Sequence, residues 1–277
     1  MSSMSVPNLT LNNGVEIPQL GFGVFKVPEG STKDVVLKAL ETGYRHIDTA
    51  KLYGNEAEVG AAVRESGLDR DAVFVTSKVW NDDQGYDATM RAFDASMDRL
   101  GFDVLDLYLI HWPVPRQDRY VDTWRALEQL YRDGRVRAVG VSNFNADHLH
   151  RLVDETDLVP AINQVELHPY LQQAELRKAN ESLGIATEAW GPIARGGELL
   201  TDEVITRIAD KHGRTPAQVV LRWHIELGNV VIPKSVTPSR IGENFDVFGF
   251  ALDAEDMGAI ADLDRGERTG PDPDQLG

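Results

Sequence analysis

The sequence predicts an α/β chain folded as a (β/α)8 TIM barrel with an N-terminal β-hairpin and two extra helices, and three observations lead there. Eight short β-prone runs alternate with segments of helical period along the 277 residues. Strands that alternate with helices form a parallel sheet, because each connection has to cross a sheet face, and eight such units in about 250 residues are the content of a closed barrel. No linker or low-complexity stretch interrupts the alternation, so residues 1–277 are read as one domain. The alternative, a doubly wound open sheet, would carry a Gly-rich turn after its first strand. Gly21-Phe22-Gly23-Val24-Phe25-Lys26 lacks the third glycine of that fingerprint.

Residues 8–17 read as a hairpin: Leu9 and Leu11 alternate, Asn12-Asn13-Gly14 is turn chemistry, and Val15 and Ile17 alternate again. The eight runs follow at 19–23, 45–49, 73–79, 104–111, 136–142, 161–166, 185–190 and 230–233. Between them, Ser31 and Asp34 are spaced to cap a helix through Val36 and Leu40, and Asn55 and Glu58 open the next. Residues 87–100 put Met90, Phe93, Met97 and Leu100 on one face. Further helical segments lie at 121–132, 146–155, 172–183 and 216–227. The two extra helices are 198–212 and 254–263, the latter followed by a polar tail through Gly270-Pro271-Asp272-Pro273-Asp274.

Composition narrows the function. With 44 Asp and Glu against 28 Lys and Arg the net charge is −16, a surface that repels phosphate backbones and argues against nucleic acid as a partner. The absence of cysteine excludes disulfide scaffolds, Cys-ligated zinc, iron–sulfur clusters and thiol nucleophiles. No apolar run approaches roughly 18 residues, and residues 1–7 carry neither a basic nor an apolar leader region, so a cytoplasmic chain without a membrane partner is expected. His148 and His150 are a close histidine pair, but on a helix i and i+2 do not share a face, so no metal site is expected there.

In a barrel of this type the functional groups sit at the C-terminal strand ends. There the predicted strands present Asp48, Lys78, His111, Ser142 and Asn143, Gln164, Trp190, and the lead into Lys234 and Ser235. Singly, each has a plain explanation: Asp48 as a turn cap, Lys78 as a solvated strand end, His111 as a satisfied core histidine, the tryptophans Trp80 and Trp112 as packing. A shared pocket explains them together. A Lys⁺ beside Asp⁻ stays charged despite burial, and a phenol beside that Lys⁺ has its phenolate stabilised, so the pKa of Tyr53, five residues after Asp48, is expected to fall. Tyr53 then becomes a usable proton donor, with a neutral His111 orienting a carbonyl oxygen toward it. That set suits carbonyl reduction, whose hydride has to come from a cofactor because no side chain donates one.

Gly43-Tyr44-Arg45-His46-Ile47-Asp48-Thr49-Ala50 followed by Tyr53-Gly54-Asn55-Glu56 resembles the signature of the aldo-keto reductases. So do Leu107-Tyr108-Leu109-Ile110-His111-Trp112-Pro113, Gly140-Val141-Ser142-Asn143-Phe144, Asn163-Gln164-Val165-Glu166-Leu167-His168-Pro169 and Ile232-Pro233-Lys234-Ser235-Val236-Thr237-Pro238 with Arg240, Glu243 and Asn244. These motifs run from Leu9 to about Asp264. Trp190-Gly191-Pro192 and Gly23-Val24-Phe25-Lys26-Val27-Pro28 look most like the bacterial branch that contains 2,5-diketo-D-gluconate reductases.

The resemblance implies NADPH across the mouth of the barrel and reduction of small aldehydes, ketones or keto-sugars. Tyr53 would be the general acid, assisted by Lys78 and Asp48, with His111 orienting the substrate. Ser142, Asn143 and Gln164 would hold the nicotinamide carboxamide and Trp190 would stack on its ring. Gly191, Pro192 and Ile193 fall with the cofactor set. Lys234, Ser235 and Arg240 would meet the pyrophosphate or the 2′-phosphate, with Val236 in the same cofactor set, and Glu243 and Asn244 the adenine. Phe25, Trp80 and Trp112 would line the substrate pocket. A monomer is implied.

Two departures stand out. Many relatives carry Ser-Pro-Leu after strand seven where this chain has Gly191-Pro192-Ile193, followed by Arg195, for which the sequence offers no partner. The short polar tail implies an open pocket. Two rival readings remain: a non-catalytic nicotinamide-nucleotide-binding regulatory module, which a complete set of Tyr53, Asp48, Lys78 and His111 argues against, and a Schiff-base lyase on Lys78, which Asp48 opposes by holding the amine protonated.

Overall fold

A computed structural model describes residues 6–276. Residues 1–5, most of the stretch read for a leader, and residue 277 lie outside them. The chain opens with the antiparallel hairpin of β1 (Asn8–Thr10) and β2 (Glu16–Pro18), in which Leu9 faces Ile17. Its buried Leu11 and Ile17 cluster with Phe74, Ala161, Ile162 and Val230, at or beside the first residues of three barrel strands. The hairpin therefore plugs the end of the barrel opposite the predicted site.

The barrel strands are β3 (Phe22–Gly23), β4 (His46–Asp48), β5 (Phe74–Val79), β6 (Leu105–Ile110), β7 (Val136–Ser142), β8 (Ile162–Glu166), β9 (Ala186–Trp190) and β10 (Val230–Val231), each parallel to the next. Closure comes from backbone bonds between the two ends of the sheet. The Val231 N–H donates to the Gln19 carbonyl (2.9 Å), Gly21 N–H to Val231 (2.8 Å) and Gly23 N–H to Pro233 (3.0 Å). The last strand is shorter than the predicted 230–233 because Pro233 has no N–H to continue the ladder. Most strand residues are buried on both faces, as expected for a sheet wrapped by helices.

The wrapping helices are α1 (Thr32–Thr42), α2 (Glu56–Glu65), α3 (Tyr86–Leu100), α4 (Tyr120–Arg132), α5 (Ala146–Glu155), α6 (Ala174–Ser182), α8 (Pro216–Glu226) and α9 (Pro238–Phe245). The extra pair is α7 (Glu203–His212) and α10 (Ala254–Ala261). The predicted 198–212 segment is two pieces, a short turn and then α7, separated by Asp202, whose carboxylate accepts from the Val204 N–H. Two expected caps are corrected. Ser31 makes no side-chain cap bond. Glu58 of α2 reaches across instead and accepts from the backbone N–H groups of Gly30 and Lys33. Asn55 likewise makes no side-chain cap bond: its amide oxygen accepts from the Thr49 hydroxyl and its amide nitrogen donates to the Val24 carbonyl, binding the loop that follows β4. No helix among the described residues is long and apolar enough to cross a membrane.

Gly140 in β7 is where the barrel interior leaves no room for a side chain. A Cβ there would lie 2.6 Å from the Ile162 carbonyl oxygen and 3.0 Å from Leu109 Cδ2. Gly140→Ala is expected to destabilise the fold by about 1–3 kcal/mol, as overpacking does, with a matching fall in midpoint on chemical denaturation.

Candidate active site

Asp48 ends β4, Lys78 lies one residue before the end of β5, and both are buried. The Lys78 ammonium donates to Asp48 Oδ1 (2.7 Å), the Thr49 carbonyl (2.9 Å) and the Tyr53 hydroxyl (3.3 Å). An ammonium has three N–H bonds, and three oxygens meet them. Burial opposes its charge, but Asp48 and the other acceptors outweigh that, so the Lys78 pKa ends above the ordinary lysine value.

Tyr53 closes a single 3-10 turn, Lys51–Tyr53, after β4. The turn is pinned by an ion pair from Lys51 to Asp83, in the loop after β5. The expected fall in the Tyr53 pKa is not what the structure gives. Burial raises it, Lys78 lowers it and Asp48 raises it again, and the balance is upward. The isolated lysine–phenol argument left out desolvation, which here is the larger effect. His111, directly after β6, is pushed well below the usual histidine range by burial and by the Lys78 charge, and is neutral at physiological pH. Among the described residues neither its buried Nδ1 nor its Nε2 has a hydrogen-bond partner.

A second ring of buried groups lies beneath this set. Gln164 in β8 donates one amide hydrogen to Asp48 Oδ2 (2.8 Å) and the other to Glu188 Oε2 (3.0 Å). Glu188 is fully buried in β9, and its other oxygen has no hydrogen-bond partner among the described residues and lies 3.7 Å from His46 Nε2. Burial first, and the Asp48 charge second, push its pKa up to about 8. Sequence reasoning missed Glu188. The available signal was a carboxylate inside a strand whose flanks, Ile185 and Ala189, are apolar.

A cavity of about 1000 Å³ opens above these groups. Every residue of the predicted site borders it except Lys78, which lies beneath Asp48 and Tyr53. On one side Phe25 packs on Tyr53 (ring centres 4.9 Å apart), Tyr53 faces His111 (5.7 Å) and Trp80 stands edge-on to His111 (5.1 Å), with Trp112 alongside.

In the middle, Asn143 sits at φ +62, a left-handed conformation uncommon outside glycine. Its amide donates to the His111 carbonyl (3.0 Å) and Ser142 Oγ (3.1 Å), and its oxygen accepts from Trp190 Nε1 (2.8 Å). The amide hydrogens of Asn143 and Gln164 are thus all committed within the protein, and what these side chains keep for a ligand is acceptor capacity.

At the far end the wall is formed by Gly191, Pro192 and Ile193, by Lys234, Ser235 and Val236, and by Arg240, Glu243 and Asn244 of α9. Two cations that sequence reasoning did not assign, Lys26 and Arg195, also border the cavity, Lys26 with its ammonium over the Phe25 ring. None of the four makes an ion pair with a described residue. The wall carboxylates are otherwise engaged: Asp48 by Lys78 and Gln164, Glu243 by the Thr215 hydroxyl (3.0 Å). Four cations without an ion pair on one cavity, against the charge of Glu243, make a local anion site inside a protein with an excess of 16 acids.

The tail, short as it is, reaches the site: it brings Pro271 and Leu276 onto the cavity wall.

Residues 19–265 match the Aldo/keto reductase family. An aldo-keto reductase of Mycolicibacterium smegmatis is 58% identical over 267 residues, covering 96% of this chain and 97% of the relative. A glyoxal reductase of Bacillus subtilis is 53% identical over 267 residues, covering 96% of each. Among solved structures, a variant of Gox0644 in complex with NADPH superimposes with a TM-score of 0.95 at 49% identity, covering 99% of this chain and 100% of that one.

The buried Glu188 gives a stability prediction. Its folded pKa of about 8 lies above the unfolded carboxylate value, so between roughly pH 5 and 8 the native state holds one more proton than the unfolded chain. Its contribution therefore weakens as pH rises through that window, with a limiting slope of about 1.4 kcal/mol per pH unit. Glu188→Gln keeps an acceptor for Gln164 and removes the titration. Denaturant melts at pH 5.5 and 7.5 should show the variant gaining on the parent at the higher pH.

Proposed function

The chain belongs to the aldo/keto reductase family, and on that premise we propose that it reduces small aldehydes, ketones or keto-sugars to alcohols, with NADPH as reductant and Tyr53 as proton donor. The observation that carries this reading is the Lys78 ammonium held between Asp48 and the Tyr53 hydroxyl beneath a cavity that His111 also faces. When bound, NADPH supplies the hydride that no side chain can.

The residues present fit that cofactor. Lys26, Arg195, Lys234 and Arg240 answer the charge of a dinucleotide with an extra phosphate, aided by the backbone N–H groups that open α9. Trp190, fixed at one edge by Asn143, would stack on the nicotinamide ring. Ser142, Asn143 and Gln164 would meet its carboxamide, accepting from the amide nitrogen. Gly191, Pro192 and Ile193 would flank the cofactor, Ser235 and Val236 would lie along it with Lys234, and Glu243 and Asn244 would meet the adenine.

The protein's part in the reaction is to place a carbonyl and give it a proton. His111, neutral, uses its unbonded Nε2 to hold the carbonyl oxygen near the Tyr53 hydroxyl. Tyr53 stays protonated at neutral pH because burial raises its pKa, so the proton is present when the oxygen needs it. As that proton leaves, Lys78 stabilises the phenolate left behind, and Asp48 keeps Lys78 charged. Phe25, Trp80 and Trp112 give the substrate an apolar wall. The glyoxal reductase relative makes small 1,2-dicarbonyls the first substrates to assay.

Tyr53→Phe removes the donor and is expected to lower kcat by about 10²–10⁴-fold, the usual contribution of a positioned acid, with NADPH binding by fluorescence titration unchanged. Undiminished turnover in the variant contradicts the assignment. Arg240→Ala should weaken NADPH by roughly tenfold or more, as loss of a charge-assisted bond does, while NADH changes little. Equal losses for both nucleotides would move Arg240 away from the extra phosphate.

A further inference from the structure

We propose that Glu166 pins the C-terminal tail across the cavity and against Trp190, and thereby sets the size of carbonyl substrate the pocket admits; the substrate half of this proposal rests on the carbonyl-reductase reading above. Glu166 is the last residue of β8 and is 1% exposed. Its Oε1 accepts from His168 Nε2 (3.0 Å), the Thr269 N–H (2.6 Å) and the Thr269 hydroxyl (2.7 Å), and its Oε2 accepts from the Gly270 N–H (2.9 Å). Four donors converge on one buried carboxylate, three on Oε1 and one on Oε2, and three of the four come from two successive tail residues. These bonds outweigh the cost of burial and hold the Glu166 pKa near 2, so the latch stays charged across the physiological range.

The same loop carries the rest of the docking. The Tyr170 carbonyl accepts from the Arg265 and Glu267 N–H groups, and the Arg265 guanidinium lies 3.6 Å over the Tyr170 ring. Gln172 Nε2 donates to the Ile260 carbonyl (2.7 Å). Residues 166–172 are thus a track along which the C-terminal segment is laid, with Glu166 at the end nearest the cavity. Beyond Gly270 the chain contributes Pro271 and Leu276 to the cavity wall.

Gly270 also touches the proposed cofactor platform. A Cβ on Gly270 would lie 2.5 Å from Trp190 Cη2 and 3.1 Å from Glu166 Oε2. The backbone passes this close only because the side chain is absent. The indole is therefore bonded at Nε1 by Asn143 and met at Cη2 by the Gly270 backbone. Glu166 touches neither substrate nor cofactor in this account. It is a positioning residue that acts through the tail.

The test compares Glu166→Gln, a chain ending at Arg268, and the two changes combined, with two readouts. Glutamine puts an N–H₂ where the carboxylate accepted, so donors face donors. Amide hydrogen exchange at Thr269 and Gly270, which needs no turnover, should lose at least about tenfold protection in full-length Glu166→Gln. The ratio of kcat/KM for a bulky aromatic aldehyde to that for a small dicarbonyl should rise several-fold through KM, in Glu166→Gln and in the shortened chain alike. The combined variant should then match the shortened chain, because a residue that acts through the tail has nothing to act on once it is gone. Unchanged exchange in Glu166→Gln overturns the latch. An unchanged ratio, or a ratio shift from Glu166→Gln that persists in full in the shortened chain, overturns its role in specificity. If the parent reduces no carbonyl, the functional reading fails, and exchange still decides the latch.

Discussion

The Lys78 ammonium is sealed from solvent, so each of its three N–H bonds has to find a protein oxygen, and the mouth of the barrel is arranged around that requirement. Asp48 supplies the charge that keeps the amine protonated, Thr49 fixes its direction through the backbone, and Tyr53 receives the third bond. Because Asp48 is held on its other oxygen by Gln164, and Gln164 is held by Glu188, the geometry around Tyr53 is carried down into the barrel by a chain of buried bonds. A buried ion pair is a poor way to gain stability, since well-packed apolar residues of similar volume often do as well or better. Its presence beneath a phenol that faces the cavity accords with a chemical role.

The electrostatics divide by scale. Over the whole chain the acids dominate, and screening confines that field to about 8 Å in physiological salt. Within the cavity the order is reversed, because Asp48 is paired with Lys78 and four cations without an ion pair among the described residues outnumber Glu243. A net charge that argues against nucleic acid therefore does not argue against a small polyanion. His111 and Tyr53 show the same local control: desolvation keeps the imidazole neutral and the phenol protonated, the two states a proton donor and a carbonyl-orienting group require.

The barrel and the upper layer of the site were legible because period-2 and period-3.6 patterns locate strand ends, and strand ends converge. Asp48, Lys78, His111, Gln164 and Trp190 were found that way, and all but Lys78 border the cavity directly. What stayed hidden depends on contacts between residues far apart in the chain. Glu188 reads as one more strand residue until Gln164 is seen to join it to Asp48 across the barrel. Glu166 lies within a recognised motif, yet its partners, Thr269 and Gly270, are about a hundred residues away in a tail that composition marks as a loose end. Lys26 and Arg195 carry no local signal of being unpaired. The helix starts at Ser31 and Asn55 follow the capping pattern, but tertiary bonds from Glu58 and to Thr49 take precedence over the local ones. The Tyr53 pKa was misjudged because the balance of burial against a neighbouring charge cannot be read from spacing.

The central claim is that Lys78 acts on the carbonyl through the acidity of Tyr53. The direct measurement is the pH dependence of kcat/KM for a reactive aldehyde with NADPH, in the parent and in Lys78→Met. The Lys78 charge lowers the Tyr53 pKa and Asp48 raises it. Removing the ammonium should therefore move the alkaline loss of activity to higher pH while lowering the plateau. An alkaline limb that stays in place as the plateau falls would contradict the account and leave Lys78 as a structural support alone.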